Sequence, residues 1–489
     1  MAICRGASRS CRMRAVGEPL TEAHMRGQRR PKIGCLGIMT DVYDKRQPSV
    51  TRDQEEFARR IVASLRDIAD VTFVRACKNR AEIESVTQQF NDEAYDGLMI
   101  VMLLYSPGLR LVRALERNRL PILLANVQPL PSVTPDWNWG HLTTNQGIHG
   151  AQETANVMYR MGIRPCIVTE KWQDEAFREV FRDWALAAMT ASSLKTMRIA
   201  AVGKMLDMSD ILADEAAYFR KIGPLIIQEN LGDVFRRMEL LSKEEVTHQL
   251  DEDRANFEID RSLPAKTHEY AATLQLGIEG LLEAGAYDGF TMNFTAFGGD
   301  GRFKQLPLLG ASNLMAKGYG YAAEGDTSTA ALGAAGNVLI GDSHFTEMYS
   351  LDYEKESALM SHMGEGNWKI ARQDRPIRLI DRVLEIGNLE NPPTLIFSAR
   401  PGAATLVSFV AIEGERFRLV VSKGEVLDTE ELRKVPMPYF HFRPETGLRK
   451  CIDSWLELGG THHQILNLGD HVRRWEMLSK MLGIDCQRV

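Results

Sequence analysis

The chain has 489 residues, a formal charge of −6 at pH 7 and an isoelectric point near 6.1. Without a broad basic surface, neither a nucleic acid nor an anionic membrane is expected as the main partner, and no apolar run reaches the roughly 20 residues that span a bilayer. The length predicts two or three domains, and an apolar content of 44% is enough to fill their cores.

The first thirty residues are basic but lack the apolar stretch of a secretory signal. We predict a loose arm over residues 1–30, with an organelle-targeting segment or an over-extended start as alternatives. The seven cysteines are scattered and contain no C-x-x-C pair, which predicts reduced thiols in a cytoplasmic protein.

Residues 31–175 alternate between short apolar runs and amphipathic segments. Strands are predicted at "KIGCLGIM", "VTFVRAC", "YDGLMIVML", "PILLANVQ" and "RPCIVTE", and the first helix is predicted to begin with a capping box formed by Thr51 and Gln54. Strands that are separated by helices are typical of a buried parallel sheet. We therefore expect a doubly wound α/β domain.

Residues 176–330 repeat this pattern and predict a second α/β domain. "MRIAAVG" and "PLIIQEN" are typical of strands, Ser242 and Glu245 form a second capping box, and a long helix is predicted to end at Gly285. Residues 331–489 contain β-rich runs such as "TLVSFVAIEG" and "RFRLVVSKGEVL", followed by helical segments. An antiparallel sheet or barrel with terminal helices is expected there.

The string "GYGYAA", Gly318–Ala323, fits a loose G-x-G-x-x-A dinucleotide pattern. That pattern is informative only between a strand and a helix, whereas the preceding "ASNLMAKG" is typical of a helix. A nucleotide-dependent oxidoreductase therefore stays a minor alternative.

Two glutamates have unusual neighbours. Glu324 lies between small residues in "AAEGD", and Glu347 follows an aromatic-containing run in "HFTEMY". Carboxylates in partly apolar surroundings need a cation or a proton, and with an imidazole from His362 or His344 they would form a site for Mn²⁺, Mg²⁺ or Co²⁺. Alone, each glutamate is more often a helix cap or solvated, and each histidine a core residue.

The same strings resemble the L-arabinose isomerases, within the wider arabinose and fucose isomerase fold. The family's metal-binding glutamates and histidines match Glu324 in "GYGYAAEGD", Glu347 in "FTEMY", His362 in "SHMGE" and His463 in "GGTHH". Consecutive side chains diverge in both helices and strands, so the two adjacent histidines are not expected to serve one purpose. Matching the family's string position by position implies that His463 is the ligand and leaves His462 a supporting or packing role.

Weaker matches run through the rest of the chain in the family's order. "NQGIHG" implies a substrate-contacting role for His149, "KWQD" matches the motif that follows it, and Met205 and Phe294 fall where the family lines its sugar pocket. The family's Gly-Ser-Gln string is replaced by "GIMTDVY", which places Met39 at the position of a sugar-binding glutamine. Loss of that amide predicts a changed substrate preference.

The resemblance implies a Mn²⁺-dependent aldose–ketose isomerase, with Mg²⁺ or Co²⁺ as alternative ions. Glu324 and Glu347 would move protons through a cis-enediol, with a hydride shift as the competing route. It also implies a homo-hexamer in which His149 serves a neighbouring subunit. A sugar-binding or sensor protein of the same fold without catalysis is the alternative.

Overall fold

The computed structural model of the chain describes residues 29–203, 208, 210, 214–384 and 389–489. A five-stranded parallel sheet, a four-stranded parallel sheet and a closed antiparallel barrel follow one another along the chain. The predicted mixed α/β class with a C-terminal β-rich region is confirmed. The exact domain boundaries stay a prediction. Within the described ranges, no helix combines the length and apolar character needed to cross a membrane.

The first sheet has the strand order β2-β1-β3-β4-β5, with every described pairing parallel. Its strands are β1 (Lys32–Ile38), β2 (Asp70–Cys77), β3 (Gly97–Met102), β4 (Ile122–Asn126) and β5 (Cys166–Thr169). Its helices are α1 (Val50–Ser64), α2 (Arg80–Asp92), α3 (Val112–Arg117), α4 (Trp139–Thr144), α5 (Gly147–Arg160) and α6 (Glu175–Leu194). All residues of β3 are buried, as expected for a strand covered on both faces.

The predicted capping box at the start of α1 is wrong. Helix α1 begins at Val50, so Thr51 lies inside its first turn, and the hydroxyl of Thr51 donates to Asp44 at 3.2 Å. The amide of Gln54 donates to the carbonyl of Thr144 at 2.9 Å. A long-range hydrogen bond thus occupies the side chain of Gln54, which the local pattern assigned to the capping box.

The second sheet has the parallel order β10-β9-β6-β7. The strands of this region are β6 (Arg198–Val202), β7 (Leu225–Gln228), β8 (Glu258–Ile259), β9 (Gly289–Met292) and β10 (Gly320–Ala323). The helices are α7 (Glu215–Lys221), α8 (Leu231–Leu240), α9 (Lys243–Asn256), α10 (Ala265–Ala284), α11 (Phe294–Asp300), α12 (Leu308–Ala316) and α13 (Thr327–Leu339).

Two local predictions in this region are confirmed. Ser242 and Glu245 form the capping box of α9, and α10 is capped by Gly285.

The string Gly318–Ala323 follows α12 and contains β10, so a helix precedes it rather than the strand that a dinucleotide-binding turn requires. Helix α13 runs through residue 330 and packs on both β9 and β18, which connects the second sheet with the barrel.

The barrel closes in the order β15-β18-β11-β12-β17-β16, because β15 also pairs with β16. The strands from residue 344 onwards are β11 (His344–Asp352), β12 (Ser357–Ser361), β13 (Arg378–Asp381), β14 (Pro393–Ile396), β15 (Gly402–Glu413), β16 (Arg416–Val426), β17 (Tyr439–Pro444), β18 (His463–Leu468) and β19 (Asp485–Arg488). The terminal helices are α14 (Leu448–Glu457) and α15 (Val472–Leu482). Because the barrel is closed, the long strands β15 and β16 each pair with neighbours on both sides, which leaves few of their backbone N–H and C=O groups unpaired.

Candidate metal centre

Glu324 stands in a strained turn directly after β10. Its φ is +64°, a left-handed conformation that is uncommon for a residue with a side chain, and Gly325 follows with a φ of +88°. The N–H of Glu324 donates to the carbonyl of Met292 at 2.7 Å, and the N–H of Gly325 donates to the hydroxyl of Thr291 at 3.0 Å. Such conformations persist where the surroundings fix them, and they cluster at functional sites.

Three more candidate ligands come from neighbouring barrel strands. Glu347 on β11 pairs directly with His463 on β18, and on its other side with Ser361, the last residue of β12. Side chains directly opposite each other in an antiparallel pair share one face of the sheet. The barrel register thus sets Glu347 opposite His463, and His362 joins them from just beyond the end of β12.

Contacts of His463 and Glu347 link the four residues. The Nε2 atom of His463 lies 3.5 Å from Oε2 of Glu324 and 3.5 Å from Oε1 of Glu347, and Nε2 of His362 lies 3.8 Å from the same Glu347 oxygen. The potential ligand atoms form two groups, and the atoms of each group lie within 4.8 Å of one another. One group contains Glu324, His462 and His463, and the other contains Glu347, His362 and His463. His463 belongs to both groups.

The two adjacent histidines face the same carboxylates, which differs from the expected divergence of their side chains. His462 lies in a bend just before β18, so strand alternation does not apply to it. Its ring centroid is 4.1 Å from that of His463, and its Nε2 lies 3.8 Å from Glu324 and 3.7 Å from Glu347. Asp210 fixes this orientation by accepting from the backbone N–H at 3.0 Å and contacting Nδ1 at 2.7 Å.

Two buried carboxylates that the sequence patterns did not single out lie against the other imidazoles. Oδ2 of Asp326 is hydrogen-bonded to Nδ1 of His463 at 2.9 Å, whereas Oε2 of Glu365 lies 3.1 Å from Nδ1 of His362 as an ion pair without hydrogen-bond geometry. A carboxylate at Nδ1 leaves the Nε2 lone pair free for a metal ion, a common arrangement in metalloproteins. The available signal was spacing: Asp326 is two residues beyond Glu324, and Glu365 is three beyond His362.

Aromatic side chains complete the support of these imidazoles. The ring of Phe345 packs 4.7 Å from the His362 ring and 4.9 Å from the His463 ring, measured between centroids. The hydroxyl of Tyr321 donates to Glu365 at 2.8 Å, and burial raises the pKa of Tyr321 well above its usual value, so that it stays a donor. Packing and hydrogen bonds therefore both restrict the rings.

The site stabilises positive charge. Burial opposes protonation of His463, but the hydrogen bond with Asp326 and the nearby Glu324 carboxylate outweigh it and raise the pKa of His463 to about 9. The hydrogen bond with Asp210 and the nearby Glu324 carboxylate raise the pKa of His462 to about 10. Burial alone would raise the pKa of Glu324, but contacts with His462 and His463 hold it well below its usual range.

The donor set fits a divalent cation. His463 is fully buried, and its Nε2 makes no hydrogen bond within the described part of the chain although two carboxylates lie at 3.5 Å. Carboxylate oxygens and imidazole nitrogens together suit Mn²⁺, Mg²⁺ or Co²⁺. His344, the alternative to His362, is in neither ligand group of the described residues, and burial lowers its pKa to about 3.

The remaining predicted site residues lie in different places. Phe294 lines a cavity of about 170 Å³ beside Glu324 and His362. Met39 is fully buried in the core of the first sheet, and His149 is exposed on α5 with its ring centroid 6.4 Å from that of Tyr105. Met205 lies outside the described residues. A substrate role for these residues stays a prediction.

Comparison with known proteins gives matches along most of the chain. The L-arabinose isomerase N-terminal, central and C-terminal domain models match residues 42–196, 207–341 and 342–485. The chain is 31% identical over 460 residues to an L-arabinose isomerase of Nocardioides sp., covering 90% of both chains. It is 29% identical over 454 residues to that of Geobacillus thermodenitrificans, covering 88% of this chain and 89% of the relative. For the Shouchella clausii protein of the same name, identity is 29% over 401 residues and 80% of each chain.

Proposed function

The chain belongs to the L-arabinose isomerase family, and from this premise we propose that it is a divalent-metal-dependent isomerase that interconverts an aldose and its ketose. The observation that carries the proposal is the convergence of two carboxylates and two imidazoles, from four separate segments, around Nε2 of His463. L-Arabinose or a related sugar is the proposed substrate.

Glu324, Glu347, His362 and His463 are the proposed ligands, and Mn²⁺ is the preferred candidate ion, with Mg²⁺ or Co²⁺ as alternatives. When bound, such an ion polarises the sugar carbonyl and orients the neighbouring hydroxyl. His463 is favoured over His462 as ligand because it is fully buried, lies closer to both glutamates and has its Nδ1 held by Asp326.

Glu324 and Glu347 are the proposed proton carriers. One carboxylate takes the proton from C2 of the open-chain aldose while the other moves protons between the oxygens, which gives a cis-enediol. The low pKa of Glu324 favours a carboxylate that is ionised before the substrate arrives. The two roles are assigned jointly. Turnover in deuterated water tests this step: deuterium should enter the product at C1, and its complete absence would favour a hydride shift instead.

The neighbourhood of His149 supports a homo-oligomeric enzyme, proposed as a hexamer. Large apolar side chains between residues 133 and 148 are exposed, with Trp139 at 66%, Leu142 at 53% and Ile148 at 43%. Exposed apolar groups of this kind often mark interfaces between proteins. We propose that a second subunit covers this surface and receives His149 in its sugar pocket.

Charge substitution on α4 tests the assembly. Trp139→Glu combined with Leu142→Glu should give smaller particles by light scattering, with Mn²⁺ still bound but most turnover lost. Leu240→Glu, at an apolar position that is 84% exposed on another helix, is the matched control. Full turnover by an isolated monomer would refute the role of His149 in a neighbouring subunit.

One assay tests the overall proposal. The chelated protein is mixed with pentoses, 6-deoxyhexoses and hexoses before and after Mn²⁺ is restored, and ketose is measured in each case. Metal-dependent ketose formation is expected. We further propose that the enzyme acts in the sugar metabolism of the cytoplasm. Sugar binding without any ketose would instead favour the non-catalytic sugar-binding protein.

A further inference from the structure

One proposed ligand and the carboxylate beside it lie on a buried loop. This ligand loop, residues 362–367, follows β12, contains His362 and Glu365 and forms neither helix nor strand. Residues 364–367 are all buried. Loops usually run over the surface, because their backbone N–H and C=O groups need partners. The burial of the ligand loop therefore requires acceptors inside the fold.

Two side chains from other elements accept from backbone N–H groups of the ligand loop. Nδ1 of His344, at the start of β11, accepts from the N–H of Asn367 at 3.1 Å. The hydroxyl oxygen of Ser312, on α12, accepts from the N–H of Gly366 at 3.1 Å. Both side chains are buried. Because burial keeps the ring of His344 neutral, its Nδ1 retains the lone pair that this bond needs.

His344 faces away from the candidate metal centre and towards the ligand loop. His344 and Glu347 are three residues apart on β11, and side chains alternate along a strand, so the two point to opposite faces. A β-carbon added at Gly366 would lie 2.7 Å from Cε1 of His344, so the loop backbone packs directly on this ring. Strand β11 thus supplies Glu347 to the proposed ligand set and His344 to the loop that carries His362.

These contacts give a role to a buried histidine that the proposed reaction does not use. Resting on the proposed metal-dependent isomerase function, we propose that His344 and Ser312 are positioning residues, which keep Glu365 beside His362 by holding the backbone of the two residues that follow it. A role in packing alone would need a buried side chain at position 344 but no acceptor atom.

Two substitutions of similar shape isolate that acceptor atom. His344→Asn keeps an acceptor oxygen near the position of Nδ1, whereas His344→Leu has almost the same shape without an acceptor. Calorimetric titration should show an Mn²⁺ affinity about 3- to 10-fold lower for His344→Leu than for His344→Asn, as expected for one lost hydrogen bond. A difference of less than threefold would overturn the positioning role of His344.

Another buried histidine of the barrel provides the matched control. Nδ1 of His441 lies 2.9 Å from the hydroxyl oxygen of Ser357 on β12. His441→Leu should lower the melting temperature and leave Mn²⁺ affinity at the wild-type value. An equal loss of Mn²⁺ affinity in His441→Leu and His344→Leu would attribute the effect to a weakened barrel and would overturn the inference.

Ser312→Ala tests the second acceptor, and it decides the question if His344→Leu does not fold. Mn²⁺ affinity should fall at least threefold in this variant. Ser312 also donates to the carbonyl of Leu308 at 2.9 Å, and Ser193 makes the same bond along its own helix, to Met189 at 2.9 Å. Ser193→Ala is therefore the control and should bind Mn²⁺ like the wild type. Equal Mn²⁺ affinities in the two serine variants would overturn the role of Ser312.

Hydrogen exchange distinguishes failure of this inference from failure of the proposed function. In the metal-free protein, mass spectrometry should show faster exchange of the Gly366 and Asn367 amides in His344→Leu than in His344→Asn. If the wild type binds Mn²⁺ but the affinities do not differ as stated, only the inference fails. If the wild type binds no Mn²⁺, the metal-dependent proposal fails and hydrogen exchange decides. Faster exchange in His344→Leu would then support the hold on the loop, and equal exchange would overturn it.

Discussion

The two regions that form the candidate metal centre position the proposed ligands by different physical means. In the barrel, Glu347 and His463 are opposed residues of a hydrogen-bonded ladder, and His362 follows directly on the paired strand β12. At the edge of the second parallel sheet, Glu324 depends on one turn with two left-handed residues. The positions of Glu347 and His463 are thus set by the register of whole strands, and the position of Glu324 by a few local bonds.

This difference indicates where the centre is rigid and where it is vulnerable. A ladder with many bonds keeps its register when one bond is lost, whereas the turn at Glu324 depends on contacts with Met292 and Thr291. A left-handed residue with a side chain costs roughly 1–2 kcal/mol, which the surrounding structure must offset. An ion held by both regions would link the sheet edge to the barrel.

The largest effect on turnover is expected when Glu347, the proposed ligand on barrel strand β11, loses its carboxylate. Glu347→Gln removes a proposed ligand and proton carrier while the strand pairing of β11 stays intact. We expect kcat to fall on the order of 10³-fold, within the usual range for a lost general acid or base. Ketose formation measured at several Mn²⁺ concentrations, together with circular dichroism, checks this. Glu354→Gln, an exposed position in the turn that follows β11, should retain wild-type turnover. Wild-type kcat in the Glu347 variant would exclude this glutamate from the chemistry.

The second prediction tests the contact between the two regions. Asp326 at the sheet edge holds Nδ1 of His463 in the barrel and also caps α13 by accepting from the N–H of Thr329 at 2.9 Å. Asp326→Asn keeps a capping oxygen but removes the charge, so Mn²⁺ affinity should fall about 10- to 100-fold, the usual cost of such a change. Calorimetric titration with Mn²⁺ measures the effect.

Asp214→Asn is the matched control, because Asp214 caps α7 by accepting from the N–H of Ala217 at 2.9 Å. That variant should show a similar small change in melting temperature with no change in Mn²⁺ affinity. If both variants bind Mn²⁺ like the wild type, Asp326 does not orient His463.

The third prediction concerns a substitution that strains the backbone of the turn at Glu324. Gly325→Ala places a β-carbon at a φ of +88°, which should cost about 1–2 kcal/mol and displace Glu324. We expect Mn²⁺ affinity to fall about 5- to 30-fold if that cost is expressed at the site. Gly414→Ala, at a φ of +57° in open space between β15 and β16, should lose comparable stability but bind Mn²⁺ normally. Equal Mn²⁺ affinity in the two variants would mean that the turn conformation does not position Glu324.

The same contrast explains what the sequence could predict. Apolar runs predicted all five strands of the first parallel sheet, β6 and β7 of the second and the β-rich C-terminal region, whereas the four-residue strands β9 and β10 were not predicted. The local pattern failed at Thr51 and Gln54, where a contact with Thr144 replaced the expected cap. Short-range rules cannot include a partner that is 90 residues away.

For the metal centre, the proposed ligands depended on resemblance, and the supporting residues depended on the fold. Asp326 and Glu365 are acidic residues in short loops, a context that is common for solvated side chains. Only barrel closure and the packing of α13 bring them against His463 and His362. The expected divergence of the His462 and His463 side chains was wrong, because His462 lies in a bend where strand alternation does not apply.

The smallest effect on Mn²⁺ affinity is expected from a change at Tyr321, which reaches the proposed ligand His362 only through Glu365. Tyr321→Phe removes the hydroxyl that donates to Glu365 at 2.8 Å, and Glu365 in turn contacts His362. Since one such hydrogen bond contributes about 0.5–1.5 kcal/mol, Mn²⁺ affinity should fall less than about tenfold even if all of it were felt at the ion. Tyr439→Phe removes another buried hydroxyl contact, with the N–H of Leu432 at 2.7 Å, and serves as the control for stability alone. A measurable loss of Mn²⁺ affinity in Tyr321→Phe, with none in Tyr439→Phe, would place Tyr321 in the support of His362. Equal affinities would limit that support to Glu365 and Phe345.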